Sequence, residues 1–497
     1  VGRSVERDRF SEAEIDAFHG RLHENLRALR ELLDRPGFGV GPESIGAELE
    51  ASIVDPAGYA LPVNEKVFAR CRDPRVQLEL VGFNIEYNLA PVSATGRPFT
   101  ALERELTGAM DLLEPACTAE GGQLAPIGIV PTLRPEDLRA DVITDRPRYR
   151  ALVNGMAQVQ PFPVRLDIHG PVEHVQVESD SLAVEGSNTS FQLHLRVDPE
   201  RFADTYNAAQ LATPLAVALG ANSPVFLGRV LWDETRVPLF KQAFVGRQPP
   251  RGEWRPAVRV PFGHGWVRRG IQDLLAEAVA LYPPVLAASD AEDSLQVVRD
   301  GAVPQLAELR LHQGTIWQWN RAVYDPSAGG HVRVELRALS SGPTPIDMVA
   351  NAAFLLGLVA ALRDDMPRLL PAFPFRYAEH NFYRAAQHGL DARLLWPVPR
   401  PPSPVQRPIL ELIDELMPRA QEGLERLGVD ADEVEKYLSI VRERREALTT
   451  GARWLRRSLL RLDATSSRRD ALARLTQAYL AHARTRRPIH EWGEVDP

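Results

Sequence analysis

Apolar and polar positions recur with two periods along this chain, and the change of period marks the elements. From Ser11 to Leu33 the apolar residues Ile15, Phe18, Leu22, Leu26, Leu29 and Leu33 fall at helical spacing. Ser11, with Glu14 three residues on, supplies a capping box, and Pro36-Gly37 ends the run. Ser44 to Val54 alternates with period two and predicts a strand, and the turn Asp55-Pro-Ala-Gly58 suggests a hairpin after it. A second strand is expected over Gln77 to Leu89, a helix over Thr100 to Thr118, and a short strand at Ile127 to Val130. Residues 164–197 are β-rich, with strands expected at 164–169, 174–178 and 190–197. Helices follow at 203–219 and 271–282, then a strand at 332–339 and a mostly buried helix at 345–363. The segment Pro397 to Pro408 holds six prolines and reads as a stiff extended linker or brace. Helical patterns then run over 409–427, 431–449, 452–462 and 468–486. Strands and helices mix without regular β-α-β alternation, so the expected class is α+β with a mainly antiparallel sheet.

Chemistry-bearing residues concentrate on the strands, two apart, where alternate side chains share a face. Glu48 and Glu50 share one face of the first strand. Adjacent carboxylates repel, and one protonates unless a cation lies between them. Asn84, Glu86 and Asn88 line the second strand opposite Phe83, Ile85 and Tyr87. Gln192 and His194 line a third, and Arg333, Glu335 and Arg337 a fourth. Any one of these can be a solvated strand face, and a lone histidine is commonly structural. Four such faces turned to one cavity would instead gather Glu48, Glu50, Glu86, Gln192, His194 and Glu335. Oxygen donors with a single histidine suit Mg2+ or Mn2+ better than zinc. Arginines beside such a cation suit a polyphosphate.

Composition narrows the class. With 44% hydrophobic and 25% charged residues, the chain has the balance of a folded globular protein of one large domain or two to three smaller ones. A net charge of −8 argues against nucleic acid as the partner. No run reaches the roughly 18 apolar residues of a membrane span, the longest being Met348 to Leu362. The charged opening residues predict no secretory leader, and Cys71 and Cys117 are too few for a disulfide framework, so a cytoplasmic protein is expected. Only Lys66, Lys241 and Lys436 are lysines, leaving 55 arginines among the 58 cations. A GC-rich genome accounts for that bias, but it leaves arginine to make any phosphate or carboxylate contact.

In order, Gly46-Ala-Glu48-Leu-Glu50, Asn84-Ile-Glu86-Tyr, Thr189-Ser-Phe-Gln192-Leu-His194, Ala221-Asn222-Ser223-Pro224, Gly228-Arg229, Thr235-Arg236, Gly314-Thr-Ile-Trp317 to Arg321 and Val334-Glu335-Leu-Arg337 resemble the motifs of the glutamate–cysteine ligase-like carboxylate–amine ligases, in the glutamine synthetase-like superfamily. The resemblance covers roughly residues 40–360. It implies a curved antiparallel sheet forming a funnel; a catalytic domain flanked by helices is expected over 1–400, and the helical patterns outside these motifs make a C-terminal helical extension over 405–497. It also implies ATP and Mg2+ (or Mn2+), and an acyl phosphate that an amine converts to an amide. Carried onto this sequence, it makes Glu48, Glu50, Glu86, His194 and Glu335 metal ligands. Arg337, Arg321 and Glu50 become the catalytic groups. Gln192, Asn222, Arg229, Arg236 and Arg333 become nucleotide or substrate contacts. The loop Val260 to Trp266 is a candidate lid, or an ordinary turn with a packed tryptophan. One departure stands out: Asn320-Arg321-Ala322-Val323 lacks the lysine that familiar members carry beside this arginine.

The expected function is therefore an ATP- and Mg2+-dependent ligase, with glutamate and cysteine as default substrates. The same chemistry on another amino acid or amine is one alternative. A catalytically silent nucleotide-binding regulator is the other, and the retained carboxylates argue against it, because unneeded buried charges are costly. Small-molecule substrates are the expected partners, without nucleic acid or membrane, and a homo-oligomer stays open.

Overall fold

The computed structural model describes residues 7–160, 163–244, 257–397 and 404–496. Its centre is a seven-stranded sheet built of β1 (Ser44–Val54), β2 (Val76–Leu78), β3 (Asn84–Ser93), β4 (Gln123–Ala125), β5 (Phe191–Val197), β6 (Asn320–Asp325) and β7 (His331–Leu336). The order is β6-β7-β5-β1-β3-β2, with β4 also on β1, and every pairing is antiparallel. The sheet curls into a half-barrel, as the α+β reading expects.

One face of the sheet is closed and the other open, and β1 shows why. Ile45, Ala47, Leu49 and Ala51 are buried, while Ser44, Gly46, Glu48 and Glu50 alternate with them and stay partly accessible. Helix α2 (Pro98–Ala119) packs against β1, β3 and β4, and helix α3 (Phe202–Gly220) against β6 and β7. Helix α4 (Pro345–Leu362) packs on both helices and is buried along its whole length. Among the described residues, one stretch, Pro345–Ala372, is long and apolar enough to cross a membrane, and 94% of its apolar window lies inside the protein. The N-terminal α1 (Glu12–Leu33) carries the expected Ser11–Glu14 capping box.

The C-terminal part is helical: α5 (Ile409–Arg426), α6 (Ala431–Glu446), α7 (Gly451–Asp463) and α8 (Arg468–Arg484). Helices α5 and α6 pack on α4. Gly357 and Gly423 let α4 and α5 approach closely, since a Cβ on Gly423 would lie 1.9 Å from the Gly357 carbonyl oxygen. Of the proline-rich segment, 398–403 lies outside the described residues. Val405–Pro408 is a strand paired with Arg393–Trp396.

Three sequence expectations are corrected, and the strands expected at 164–169 and 174–178 are found there. The strand expected over 77–89 is a hairpin, β2 and β3, with its turn at 79–83. Asn64 holds that turn, donating from Nδ2 to the carbonyls of Val81 (3.1 Å) and Asn84 (3.0 Å), and the Gly82 N–H donates to Val142 O. The strand expected at 127–130 lies instead at 123–125, where it can pair with β1. The hairpin expected after Asp55-Pro-Ala-Gly58 reduces to one bridge, Val54 to Ala60, because β3, β4 and β5 take the partners of β1. The strands Val164–His169 and His174–Ser179 pair only with each other, outside the main sheet.

Candidate active site

Register brings the chemical residues together. Antiparallel neighbours share a face, and Glu48 stands opposite Asn88 on β3 and Gln192 on β5. Glu50 stands opposite Glu86, Glu335 opposite His194, and Arg321 opposite Glu335. The open face thus carries ionisable groups on each strand from β6 to β3.

Two clusters emerge whose ligand atoms lie within 4.8 Å of one another: Glu48, His194 and Glu335, and Glu50, Glu79 and Glu86. The first is matched by cations. Arg321 grips Glu335 through Nε and Nη2, both at 2.9 Å, and Arg337 also bonds Glu335. Burial opposes ionisation of Glu335, yet Arg321 and Arg337 outweigh it and hold the carboxyl well below the usual range. Burial likewise opposes ionisation of Glu48, and the adjacent His194 reverses the sign. Arg333 Nε donates to His194 Nδ1 at 3.2 Å, so the ring proton lies on Nε2 and points to Glu48 Oε1 at 2.9 Å. A cation taken by Nε2 needs the other tautomer, and so displaces the Arg333 contact. Arg333 is also paired with Asp325 at 2.6 Å.

The second cluster has no such matching. Glu50 accepts from Ser190 N (2.7 Å), Ser190 Oγ (2.9 Å) and Gln192 Nε2 (2.6 Å). Burial still pushes its carboxyl up, past the opposing effect of Arg337. Burial and then Glu50 push Glu79 up to about 7. Glu86 is raised well above its ordinary value by burial, then by Glu48 and Glu79. Three carboxyls crowded in a low-dielectric site, held partly neutral without a cation, are the donor set of a hard divalent ion. Gln192 links the clusters, donating to Glu50 and accepting from Arg337 Nη1 at 2.6 Å.

Beside the second cluster opens a small cavity of about 40 Å³, lined by carboxyls (Glu50, Glu79, Glu185), arginines (Arg236, Arg337) and aromatic walls (Phe240, Trp319) among others. Arg236 is buried at the start of a short helix, donating from Nε to Glu234 (2.5 Å) and from Nη2 to Ala338 O (2.8 Å). Phe240 and Trp319 meet edge to face, with centroids 5.7 Å apart.

Two sequence candidates touch neither the two clusters nor the cavity lining. Arg229 is exposed, on the outer strand of a short hairpin whose other strand, Val225–Phe226, is buried, and its guanidinium lies 3.5 Å from Glu173. Asn222 is buried beneath the site. Its Nδ2 donates to Ser341 O and to Tyr479 OH, both at 2.8 Å. Ser341 Oγ in turn donates to the Glu50 carbonyl at 2.6 Å, and Tyr479 OH to Pro126 O at 2.8 Å. A hydrogen-bonded chain therefore runs from α8 to the backbone of the strand that bears Glu50. The 260–266 loop is packed as an ordinary turn: Trp266 Nε1 donates to Phe373 O at 2.7 Å, and Phe262 stacks on Phe382 with centroids 4.6 Å apart.

Glu79 and Glu185 escaped the sequence reading. In one continuous strand Glu79 would share a face with Phe83 and Tyr87, away from Glu86. The reversal at 79–83 puts it on the face of Gln77, which pairs with Glu86. Glu185 lies in a short 3-10 turn, Leu182–Ser187, that carries no periodic signal.

Residues 44–478 match the model of glutamate–cysteine ligase family 2 (GCS2). A curated relative from Rubrobacter xylanophilus, provisionally named glutamate–cysteine ligase 2-1, is 26% identical over 385 residues, 76% of this chain and 83% of that protein. The glutamate–cysteine ligase of Francisella tularensis, solved in complex with AMP, superposes over 90% of both chains with a TM-score of 0.54 and 11% identity, which speaks to the fold. By class the protein is an ATP-dependent ligase. It belongs to glutamate–cysteine ligase family 2, whose model spans the sheet and most of the C-terminal helices.

Proposed function

We propose that this enzyme joins the carboxylate of an amino acid to an amine, using ATP and Mg2+, through an acyl phosphate, with glutamate and cysteine as the default pair. The observation that carries this reading is the unmatched cluster Glu50, Glu79 and Glu86 beside the arginine-matched cluster Glu48, His194 and Glu335. The donor chemistry of both fits Mg2+ or Mn2+. When bound there, divalent ions neutralise the triphosphate, so that an anionic carboxylate can approach it.

The chain's own residues then have distinct tasks. Arg337 and Arg321, on the edge of the row, hold the oxygens of the transferring phosphoryl group through planar forks. Glu335 fixes the orientation of both guanidiniums. Gln192 keeps Arg337 in register with Glu50. Arg236, in the cavity wall, offers its remaining guanidinium edge to a substrate carboxylate. Phe240 and Trp319 keep water from the acyl phosphate, which would otherwise be lost to hydrolysis.

A different substrate pair stays in play on one observation. Asn320, where the sequence departs from familiar members, is buried and bonded to Gln210 (2.6 Å) and Thr213 (3.1 Å), so it offers no contact in place of the missing lysine. Small molecules are the partners in this reading. The free, buried Cys71 and Cys117 support a cytoplasmic assignment.

The test is phosphate release from ATP and Mg2+ across a matrix of amino acids and amines, with mass spectrometry of products. Release that requires glutamate and cysteine together, with a dipeptide formed, supports the default pair. Release with another pair keeps the chemistry and replaces the substrates. ATP binding without release for any pair replaces the proposal with a silent nucleotide-binding regulator.

A further inference from the structure

The arginines on the open face of the sheet are not alike. Arg321 and Arg337 pair with Glu335, and Arg333 pairs with Asp325. Arg196 stands apart. It follows Gln192 and His194 on the face of β5 opposite the buried Phe191, Leu193 and Leu195. Among the described residues no carboxylate pairs with its guanidinium. Its one hydrogen bond is long, from Nη2 to Gly39 O at 3.5 Å, and its Nε is buried without an acceptor. Register sets it directly opposite Arg333 on β7. Like charges directly opposite on neighbouring strands repel, and a buried donor without an acceptor is costly.

The guanidinium is placed by shape instead. The loop before β1 lies against it, and a Cβ on Gly41 would stand 2.6 Å from its Nη2 and 3.2 Å from its Cζ. An arginine positioned by backbone, with its charge unmatched, is arranged to receive an anion from outside.

Position says which anion. Along β5 and β7 the open face runs from Gln192 and Arg337, through His194 and Glu335, to Arg196 and Arg333. The cavity adjoins the Arg337 end, and neither Arg196 nor Arg333 lines it. The cluster of Glu48, His194 and Glu335 lies between the two arginine sets. Four residues of strand separate Arg333 from Arg337, about 13 Å between Cα positions. A single phosphate group does not span that distance, whereas a triphosphate reached by long side chains from both ends does. Resting on the ligase reading above, we propose that Arg196, with Arg333 beside it, binds the α-phosphate of the nucleotide. The triphosphate then lies along the strands, its γ end at Arg337 beside the cavity and its α end at Arg196.

The experiment measures the affinity of wild type and Arg196→Met for ATP with Mg2+, and for AMP, adenosine and inorganic phosphate as competitors. Methionine keeps the apolar stem and removes the charge. A wild type that binds no ATP would sink the ligase reading and this proposal together. With ATP bound by wild type, the expected result for Arg196→Met is a loss of about 10- to 100-fold in affinity for both ATP and AMP, the size of one charge-assisted hydrogen bond. Adenosine binding, and the KM of the carboxylate substrate at saturating ATP, stay within about twofold of wild type. Arg196→Lys keeps the charge without the fork and regains part of the affinity. The melting temperature of Arg196→Met without nucleotide holds or rises, because a like-charge contact is relieved. Unchanged affinity for ATP and AMP overturns the proposal. So does an equal loss for adenosine, which would make Arg196 a support for the base. A raised KM for the carboxylate substrate with ATP affinity unchanged would move the site to that substrate. Loss confined to inorganic phosphate would assign it to a free anion, and either result overturns the α-phosphate role.

Discussion

Arg337 and Glu79 are the residues whose chemistry is most sharply determined. Arg337 is buried, bonded to Glu335 and Gln192, and its charge is favoured because Glu335 and Glu50 outweigh the cost of burial. A lysine there keeps the charge but loses the planar fork. Arg337→Lys is expected to lower turnover by about 10²–10³-fold, the scale of a lost transition-state donor. Wild-type turnover would exclude the phosphoryl-holding role. Glu79 carries a pH signature. Its carboxyl goes from 4.5 to about 7 on folding. A raised carboxyl contributes stability that is full below the unfolded value and is lost as pH rises through the folded one. Without Mg2+, the melting temperature is therefore expected to fall between about pH 5 and pH 8. Mg2+ restores more of it at the upper end, where the ion replaces the proton. Glu79→Gln makes the fall shallower. Thermal melts in EDTA and in Mg2+ check this, and a slope unchanged by the substitution would contradict it.

At the scale of elements, the alternating faces of β1, β5 and β7 were legible because period-two patterning survives in any strand with one closed face. Glu48, Glu50, Gln192, His194, Glu335 and Arg337 all come together from that rule. The rule fails where the chain reverses inside an apolar run. Glu79 joins Glu86 only through the hairpin held by Asn64, a contact that no local pattern encodes. Arg229 and Arg236 look equivalent in sequence, but one is exposed at the end of a short hairpin and the other begins a buried helix. Asn222 takes its role from Tyr479, 257 residues away. That link ties α8 to β1. Tyr479→Phe leaves the Pro126 carbonyl without its donor and removes one partner of Asn222. The expected loss is about 1–2 kcal/mol of stability. A several-fold lower turnover goes with it, because Ser341 and the Glu50 backbone lose support. Denaturant melts and initial rates measure both. Wild-type values for each would show that α8 packs on the site without bracing it.

The whole molecule is one curled sheet backed by helices, with its open face concentrating more carboxylates than its own arginines neutralise. The first cluster is self-compensated, and the second waits for a cation. The aromatic and arginine-lined cavity adjoins the second. Family membership makes the protein an ATP-dependent ligase, and the proposed route adds that the phosphoryl group passes to a carboxylate rather than to water. The most direct measurement is isotope transfer: incubate the enzyme with ATP, Mg2+, the amine and an amino acid whose reacting carboxylate carries 18O, then weigh the released phosphate by mass spectrometry. The acyl-phosphate account predicts one 18O atom in each phosphate released with amide. Unlabelled phosphate, formed whether or not the amine is present, would contradict it.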